Sequence, residues 1–149
     1  LEVIVRNLAA GSFSKRYGVE EGTAFEVPAL ELSYKNDELG DPLLNDDHAV
    51  ALKLATREEL AAIRTYTLQI DRMLQKIWAS CGVILVDFKV EFGRLPDGTI
   101  VLADEISPDT CRLWDAQTRE KLDKDRFRRD MGGVEEAYCQ VMERLRNSL

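Results

Sequence analysis

The chain has 149 residues, with 20 Lys and Arg against 27 Asp and Glu, one His and three Cys, for a formal net charge of −7 and a pI near 4.8. That length suits one domain or one lobe of a larger enzyme, and 45% hydrophobic with 32% charged residues excludes disordered, collagen-like and coiled-coil chains. No apolar run approaches the roughly 20 residues of a membrane span, the Leu1-Glu2-Val3 start lacks signal-peptide character, and overall acidity argues against nucleic-acid or anionic-membrane partners, which need a basic face.

A soluble, cytoplasmic protein is therefore expected, in which a local cluster of cations holds any anionic substrate. Cys81, Cys111 and Cys139 are odd in number and form no C-x-x-C pair, which fits a reducing compartment. A single histidine, His48, in a polar loop leaves no material for a Cys/His zinc site or a Ser-His-Asp triad.

In chain order, residues 1–5 read as a strand already under way, so a preceding segment is expected, with an unpaired strand edge where it belongs. Ala9-Ala10-Gly11-Ser12 leads into a short helix capped by Ser12 and ending at Gly18. Glu20-Glu21-Gly22 turns the chain, Pro28 delays the next element, and Leu30-Glu31-Leu32-Ser33-Tyr34 alternates as a half-buried strand. Residues 35–47 form a long polar loop, a common place for function. Thr56 and Glu59 make a capping box, and Leu60, Ile63, Thr67, Ile70, Leu74, Ile77 and Cys81 line the inner face of a long helix stopped at Gly82.

Residues 83–92 form a strand whose second half alternates, with Asp87, Lys89 and Glu91 on one face. Leu95-Pro96-Asp97-Gly98 turns it back into residues 99–103, closed by Asp104-Glu105. An irregular segment follows through Trp114. A charged helix over 123–131 is broken at Gly132-Gly133, and a last helix turns Val134, Ala137, Tyr138, Val141 and Leu145 inward. Trp78 and Trp114 read as core residues.

The hairpin carries the chemistry. Side chains at i and i+2 on a strand lie about 6.6 Å apart, so Asp87, Lys89 and Glu91 can share a ligand. The same stripe is compatible with a solvated outer face, although a strand so apolar on its other side belongs in the middle of a sheet. If Leu95 pairs with Gly98, Asp104 joins the charged face; if Gly98 is a bulge after a three-residue loop, Asp104 falls on the other face. Two carboxylates from adjacent strands would suit Mg²⁺ bridging protein to phosphate. Phosphate could be received by Arg6, Lys15, Arg16, Arg112, Arg126, Arg128 or Arg129. Arg6 beside a Ser12 helix start is the best local pairing.

At these residues the chain resembles a known family. Leu85-Val86-Asp87-Phe88-Lys89-Val90-Glu91-Phe92-Gly93 and Leu102-Ala103-Asp104-Glu105-Ile106-Ser107-Pro108-Asp109-Thr110 are similar to the two signature motifs of SAICAR synthetases, the phosphoribosylaminoimidazole-succinocarboxamide synthases of purine biosynthesis. The likeness extends through Val5-Arg6-Asn7, Ala9-Ala10-Gly11-Ser12, Tyr34-Lys35-Asn36-Asp37, Asp41-Pro42 and Asp123-Lys124-Asp125-Arg126-Phe127-Arg128. It covers essentially the whole chain.

The resemblance implies an α+β, ATP-grasp-like fold with a central antiparallel sheet flanked by helices. Residues 1–149 would be the C-terminal catalytic lobe, the N-terminal ATP-covering lobe being absent. It implies ATP-dependent ligation of L-aspartate to carboxyaminoimidazole ribotide, giving SAICAR, ADP and phosphate, with ATP and Mg²⁺ as cofactors and commonly a homodimer. By motif, Glu91 and Asp104 would hold Mg²⁺ at the ATP phosphates, Lys35 would contact phosphate, and Asp41 would organise the reacting groups. Arg6, Ser12 and Arg112 would bind the ribotide phosphate, Asp87 and Lys89 would orient the aminoimidazole carboxylate, and Arg128 would meet an anionic substrate group. Two other readings share these residues: a small-molecule kinase on a related scaffold, and a non-catalytic interaction module.

Overall fold

The computed structural model describes residues 1–149. Its architecture is organised around β4, Val83–Arg94, which follows the 24-residue helix α3, Arg57–Ser80. In chain order the elements before them are β1 (Glu2–Leu8), α1 (Gly11–Tyr17), β2 (Ala24–Ser33), a 3₁₀ turn (Asp37–Leu39), β3 (Leu43–Leu44) and α2 (Asp46–Ala51); β5 (Ile100–Ala103), β6 (Cys111–Asp115), α4 (Asp125–Arg128) and α5 (Val134–Ser148) follow. All pairings are antiparallel, in the order β3-β2-β1-β4-β5. β5 pairs residues 91–94 of β4 and β6 pairs residues 83–88, so the two share one edge of β4. An α+β sheet flanked by helices is thus as expected.

α3 forms because Thr56 and Glu59 complete the capping box at its start, satisfying two otherwise orphaned backbone donors. Its buried face is Leu60, Ile63, Thr67, Asp71 and Trp78, whereas Ile77 is 41% exposed. A strict seven-residue repeat drifts by about 20° per heptad on a straight helix of 3.6 residues per turn, so Asp71 and Trp78 take the fully buried positions while Ile70, Leu74 and Cys81 pack half-buried at the margin of the core.

A β-bulge in β4 has the largest consequence. The register with β6 shifts between Leu85 and Asp87. Before the shift Val83 and Leu85 enter the main core under α3; after it Phe88, Val90 and Phe92 do. Val86 faces a second, smaller cluster with Leu8, Ala10 and Trp114. One inserted residue thus reverses which face each side chain occupies.

Several expectations are corrected. Residues 1–5 present no free edge: β1 lies between β2 and β4, with Val3 and Val5 fully buried. Ser12 does not cap α1; Ala10 is the N-cap, without a side-chain bond, and Ser12 Oγ accepts from Arg6. β2 runs through Pro28, which is tolerated because β3 pairs only Leu32 and Ser33 and the β1 register slips beside it. His48 lies in α2 rather than in a loop. The segment read as irregular contains β6, drawn into regular pairing by the open half of β4's edge. The expected helix over 123–131 shrinks to α4, because Asp123 accepts from the Leu113 and Asp125 N–H groups and Asp130, Gly132 and Gly133 adopt positive φ.

Glu59 also takes two hydrogen bonds from Arg94, at 2.8 and 2.6 Å. With the Thr56 N–H they hold its carboxyl down to about 2. A lowered carboxyl pKa stabilises the fold above the unfolded value and loses that stabilisation as the pH falls through the folded one. Glu59→Gln should therefore destabilise the chain by about 0.5–1 kcal/mol at pH 7. Urea titrations should show the difference shrinking between pH 4.5 and pH 2.

Candidate functional site

The face of the sheet opposite α3 carries two facing rows of side chains. In the β1–β4 register Glu2 faces Glu91, Ile4 faces Lys89 and Arg6 faces Asp87. The bulge at Val86 sets Asp87 opposite Arg112 on β6, so two guanidiniums reach one carboxyl. Arg6 Nη1 donates to Asp87 Oδ2 at 2.8 Å and Arg112 Nη1 donates to the same oxygen at 2.9 Å. Arg6 Nη2 further donates to Ser12 Oγ at 3.1 Å and Glu31 Oε2 at 3.0 Å. Arg112 Nε donates to Asp125 Oδ2 at 2.8 Å, and Arg128 Nη1 donates to Asp125 Oδ1 at 3.0 Å. Gly11 has φ +53°, and a Cβ there would strike the Arg112 guanidinium; only glycine fits both demands.

The rows border a cavity of about 430 Å³ whose walls include Arg6, Ser12, Lys35, Asp87, Lys89, Glu91, Asp104, Arg112 and Arg128. Nine of the ten residues given a role by motif therefore meet in one place, whereas Lys15, Arg16, Arg126 and Arg129, the other cations offered for phosphate, are not in the lining. The tenth, Asp41, is not part of that lining. Its Oδ1 accepts from the Asn36 N–H at 2.7 Å, closing the loop that delivers Lys35.

Asp104 arrives by a route that neither register anticipates. Leu95 and Thr99 are bonded across a three-residue loop ending at Gly98, φ +89°, and Ala103 faces Glu91. Continued regularly, that register would turn Asp104 away. The strand ends at Ala103 instead, and Asp104 takes φ +74° with its Oδ1 accepting from the Glu105 N–H at 2.9 Å. Aspartate is among the few residues that tolerate left-handed backbone, and the turn brings its carboxyl to the cavity wall shared with Glu91.

The electrostatics divide the cavity into two ends. At one, Arg6, Arg16, Arg112 and Arg128 are interleaved with Glu31, Asp87 and Asp125, a local cationic excess in an acidic protein. Burial pushes the Asp87 carboxyl up, against the pull of Arg112 and Arg6. Burial works against the Arg112 charge, but Asp87 and Asp125 outweigh it and hold its pKa above the ordinary value. Asp125 lies below its ordinary value, burial being overcome by Arg112 and Arg128. Beneath them, burial pushes Asp123 up to about 6, against its two backbone donors.

At the other end Lys35 pairs with Glu91, whose hydrogen bond raises the lysine pKa, and Lys89 Nζ lies 3.3 Å from Glu2 Oε2. Hydrogen bonds from Glu105 lower Asp104. No three His, Cys, Asp or Glu side chains gather in the geometry of a metal site. Glu91 and Asp104 are carboxylates of this wall that offer oxygen donors to a cation, with Glu105 next to Asp104 in the same lining.

Glu2, Glu31, Asp109, Lys124 and Asp125 belong to the site or its supports without having been singled out from sequence. Asp109, Lys124 and Asp125 sit inside the quoted motifs, which was the available signal. Glu31 could have been found from its alternation on β2 with Ser33.

The family model of SAICAR synthetase matches residues 1–145. The phosphoribosylaminoimidazole-succinocarboxamide synthase of Coprothermobacter proteolyticus is 61% identical over 145 residues, which are 97% of this chain and 61% of that protein. The crystal structure of the Ehrlichia chaffeensis synthase superposes with a TM-score of 0.94 at 47% identity, covering 99% of this chain and 63% of that one. A SAICAR synthetase in complex with ADP superposes at 0.92 with 51% identity, over 97% of this chain and 61% of its own. The chain thus spans about three-fifths of the length of these relatives. With a match running nearly end to end and the motif residues gathered around one cavity, the chain belongs to the SAICAR synthetase family.

Proposed function

We propose that residues 1–149 form the catalytic lobe of an ATP-dependent ligase that joins L-aspartate to the carboxylate of carboxyaminoimidazole ribotide, yielding SAICAR, ADP and phosphate. The observation that carries this reading is the division of one cavity into an arginine end and a Lys35–Glu91–Asp104 end. Asp87 and Glu91 are four residues apart on β4, about 13 Å at strand spacing. Lys89 stands between them. That is room for a ribotide phosphate at Arg6, Ser12 and Arg112, an imidazole carboxylate near Lys89, and nucleotide phosphates beyond.

The reaction needs two bonds made in turn. A carboxylate oxygen of the ribotide attacks the γ-phosphorus of ATP and ADP leaves, giving an acyl phosphate. The aspartate amine then attacks the acyl carbon, phosphate leaves with the C–O bond electrons, and the amine gives up a proton. The residues position and neutralise. Arg112 keeps its Nη2 hydrogens, and Arg6 one Nη1 hydrogen, for the ribotide phosphate, with Asp87 holding both guanidiniums in place. Lys89 faces the reacting carboxylate, and Lys35 exchanges Glu91 for a transferring phosphoryl oxygen, with Asp41 holding its loop. Arg128, the most exposed of these guanidiniums, meets an anionic substrate group at the cavity mouth. Holding the reactants this way accounts for about 7–11 kcal/mol of barrier lowering.

The donor set fits Mg²⁺: both carboxylates are hard oxygen ligands, and Glu91 already holds a cation, the Lys35 ammonium. Glu91 and Asp104 would bind it, and when bound it neutralises charge on the nucleotide phosphates. A cytoplasmic compartment, fitted by three free cysteines, and a homodimer belong to the same proposal; sedimentation equilibrium reads the dimer.

In the enzyme containing this chain, Arg6→Lys keeps the charge but loses the fork. It should weaken ribotide binding about tenfold or more by calorimetry and leave ADP binding within about twofold. Equal losses for both ligands would contradict the division of the cavity. Product analysis separates ligase from kinase, since phosphate release should require aspartate.

The 149-residue chain alone should fold yet show no appreciable turnover with ATP, Mg²⁺, aspartate and ribotide, because nothing in it covers the nucleotide end and excludes water. Turnover comparable to the longer enzyme would overturn the assignment of this chain as one lobe of the site.

A further inference from the structure

The polar groups that the proposed chemistry leaves unused lie on the other side of the sheet. Asp71 is 1% exposed, on the face of α3 that otherwise buries Leu60, Ile63 and Trp78. Its oxygens accept from amides: Asn7 Nδ2 donates to Oδ1 at 2.7 Å and Gln75 Nε2 donates to Oδ2 at 2.7 Å. Gln75 Nε2 also donates to Asn7 Oδ1 at 3.2 Å, and Asn7 Nδ2 reaches the Leu85 carbonyl at 3.4 Å. A carboxyl placed in an apolar layer with no cation beside it costs stability rather than adding it, so packing does not account for it.

Its location does. Asn7 lies between Arg6 and Leu8, where the β1–β2 register shifts, and Leu85 is the last residue before the β4–β6 shift. The ring Asp71–Asn7–Gln75 therefore ties α3 to both irregular strand segments at once. The first segment directly follows Arg6. The second turns Asp87 from the core face to the cavity face, opposite Arg112.

We propose that Asp71 is a positioning residue for the arginine end of the cavity. Acting through Asn7, it locks the two bulges so that Arg6, Asp87 and Arg112 stay converged on the site of a phosphomonoester. The ligand part of this inference rests on the reading of that end as the ribotide-phosphate site; the lock itself does not.

Hydrogen exchange reads the lock directly. In Asp71→Asn, which keeps one acceptor oxygen, the amides of residues 7–9 and 86–88 should exchange about tenfold faster, while those of the α5 helix keep their rates. Unaltered exchange at the bulges overturns the proposal whatever the ligand does. Kinetics of the longer enzyme then test the consequence. Asp71→Leu should raise the ribotide KM about tenfold or more, Asp71→Asn should fall in between, and both should leave the ATP KM within about twofold. Ile63→Val, a core change on the same helix away from Asn7, should leave the ribotide KM unchanged. A rise in ribotide KM with Ile63→Val equal to that with Asp71→Asn overturns the positioning role, and so does an unchanged ribotide KM in Asp71→Asn, which replaces one acceptor oxygen with an amide group without opening a cavity. Faster exchange at the bulges in an enzyme that shows no ribotide-dependent turnover would instead sink the functional reading and leave the lock standing.

Discussion

A single inserted residue in β4, Val86, governs how this chain can be both a stable core and a charged site. Antiparallel strands assign alternate residues to alternate faces, and a strand as apolar as Val83–Arg94 would otherwise put Asp87 on the face where Leu85 packs beneath α3. The bulge lets Leu85 and Phe88 both reach the main core while Val86 and Asp87 both face the other way. Without it, Asp87, Lys89 and Glu91 would all fall on the face where Val83 and Leu85 pack, and the charged stripe and the apolar core would compete for one side of the sheet.

Given that arrangement, the electrostatics follow. The chain is acidic overall, so positive potential has to be concentrated locally. This is achieved by burying Arg6 against Asp87 and Glu31 and by bracing Arg112 between Asp87 and Asp125. Such pairs contribute little net stability, because desolvation offsets attraction. They do fix guanidinium orientation before any ligand arrives, and preorganised charge lowers a barrier without needing to rearrange during reaction. Asp87 has a supporting part in this as well as the part suggested by motif, since one of its oxygens serves both arginines.

Much of this was legible in the amino-acid order. The capping box at Thr56 and Glu59, the Gly82 stop, the hairpin and the charged stripe from Asp87 to Glu91 all have local causes in cap chemistry, turn residues and alternation. The bulge does not: Leu85 and Val86 are both apolar, neither is Gly or Pro, and both faces of the sheet there are buried, so alternation carries no information. β6 was missed because its pairing depends on the vacant half of β4's edge, a tertiary fact. Asp71 was hidden by a heptad-like stripe that the real helical period leaves behind. Asp104 reaches the cavity only because its own backbone turns left-handed, which no strand register describes. The motif resemblance supplied the gathering of residues that spacing alone left open.

The sheet order also bears on how the molecule comes to be assembled. Arg6 and Asp87 are separated by 81 positions along the chain, yet β1 and β4 are immediate neighbours, and everything between them, including α2 and α3, has to be closed into a loop before they meet. The entropy of such closures makes non-local strand pairing slow relative to the formation of a capped helix. The helix can therefore be in place while the sheet's middle is still open, and the arginine end cannot exist in any partly folded species that lacks the β1–β4 contact. An anionic ligand bound at that end would accordingly recognise only chains that have completed their longest-range strand pairing, and would shift the folding equilibrium toward them by mass action.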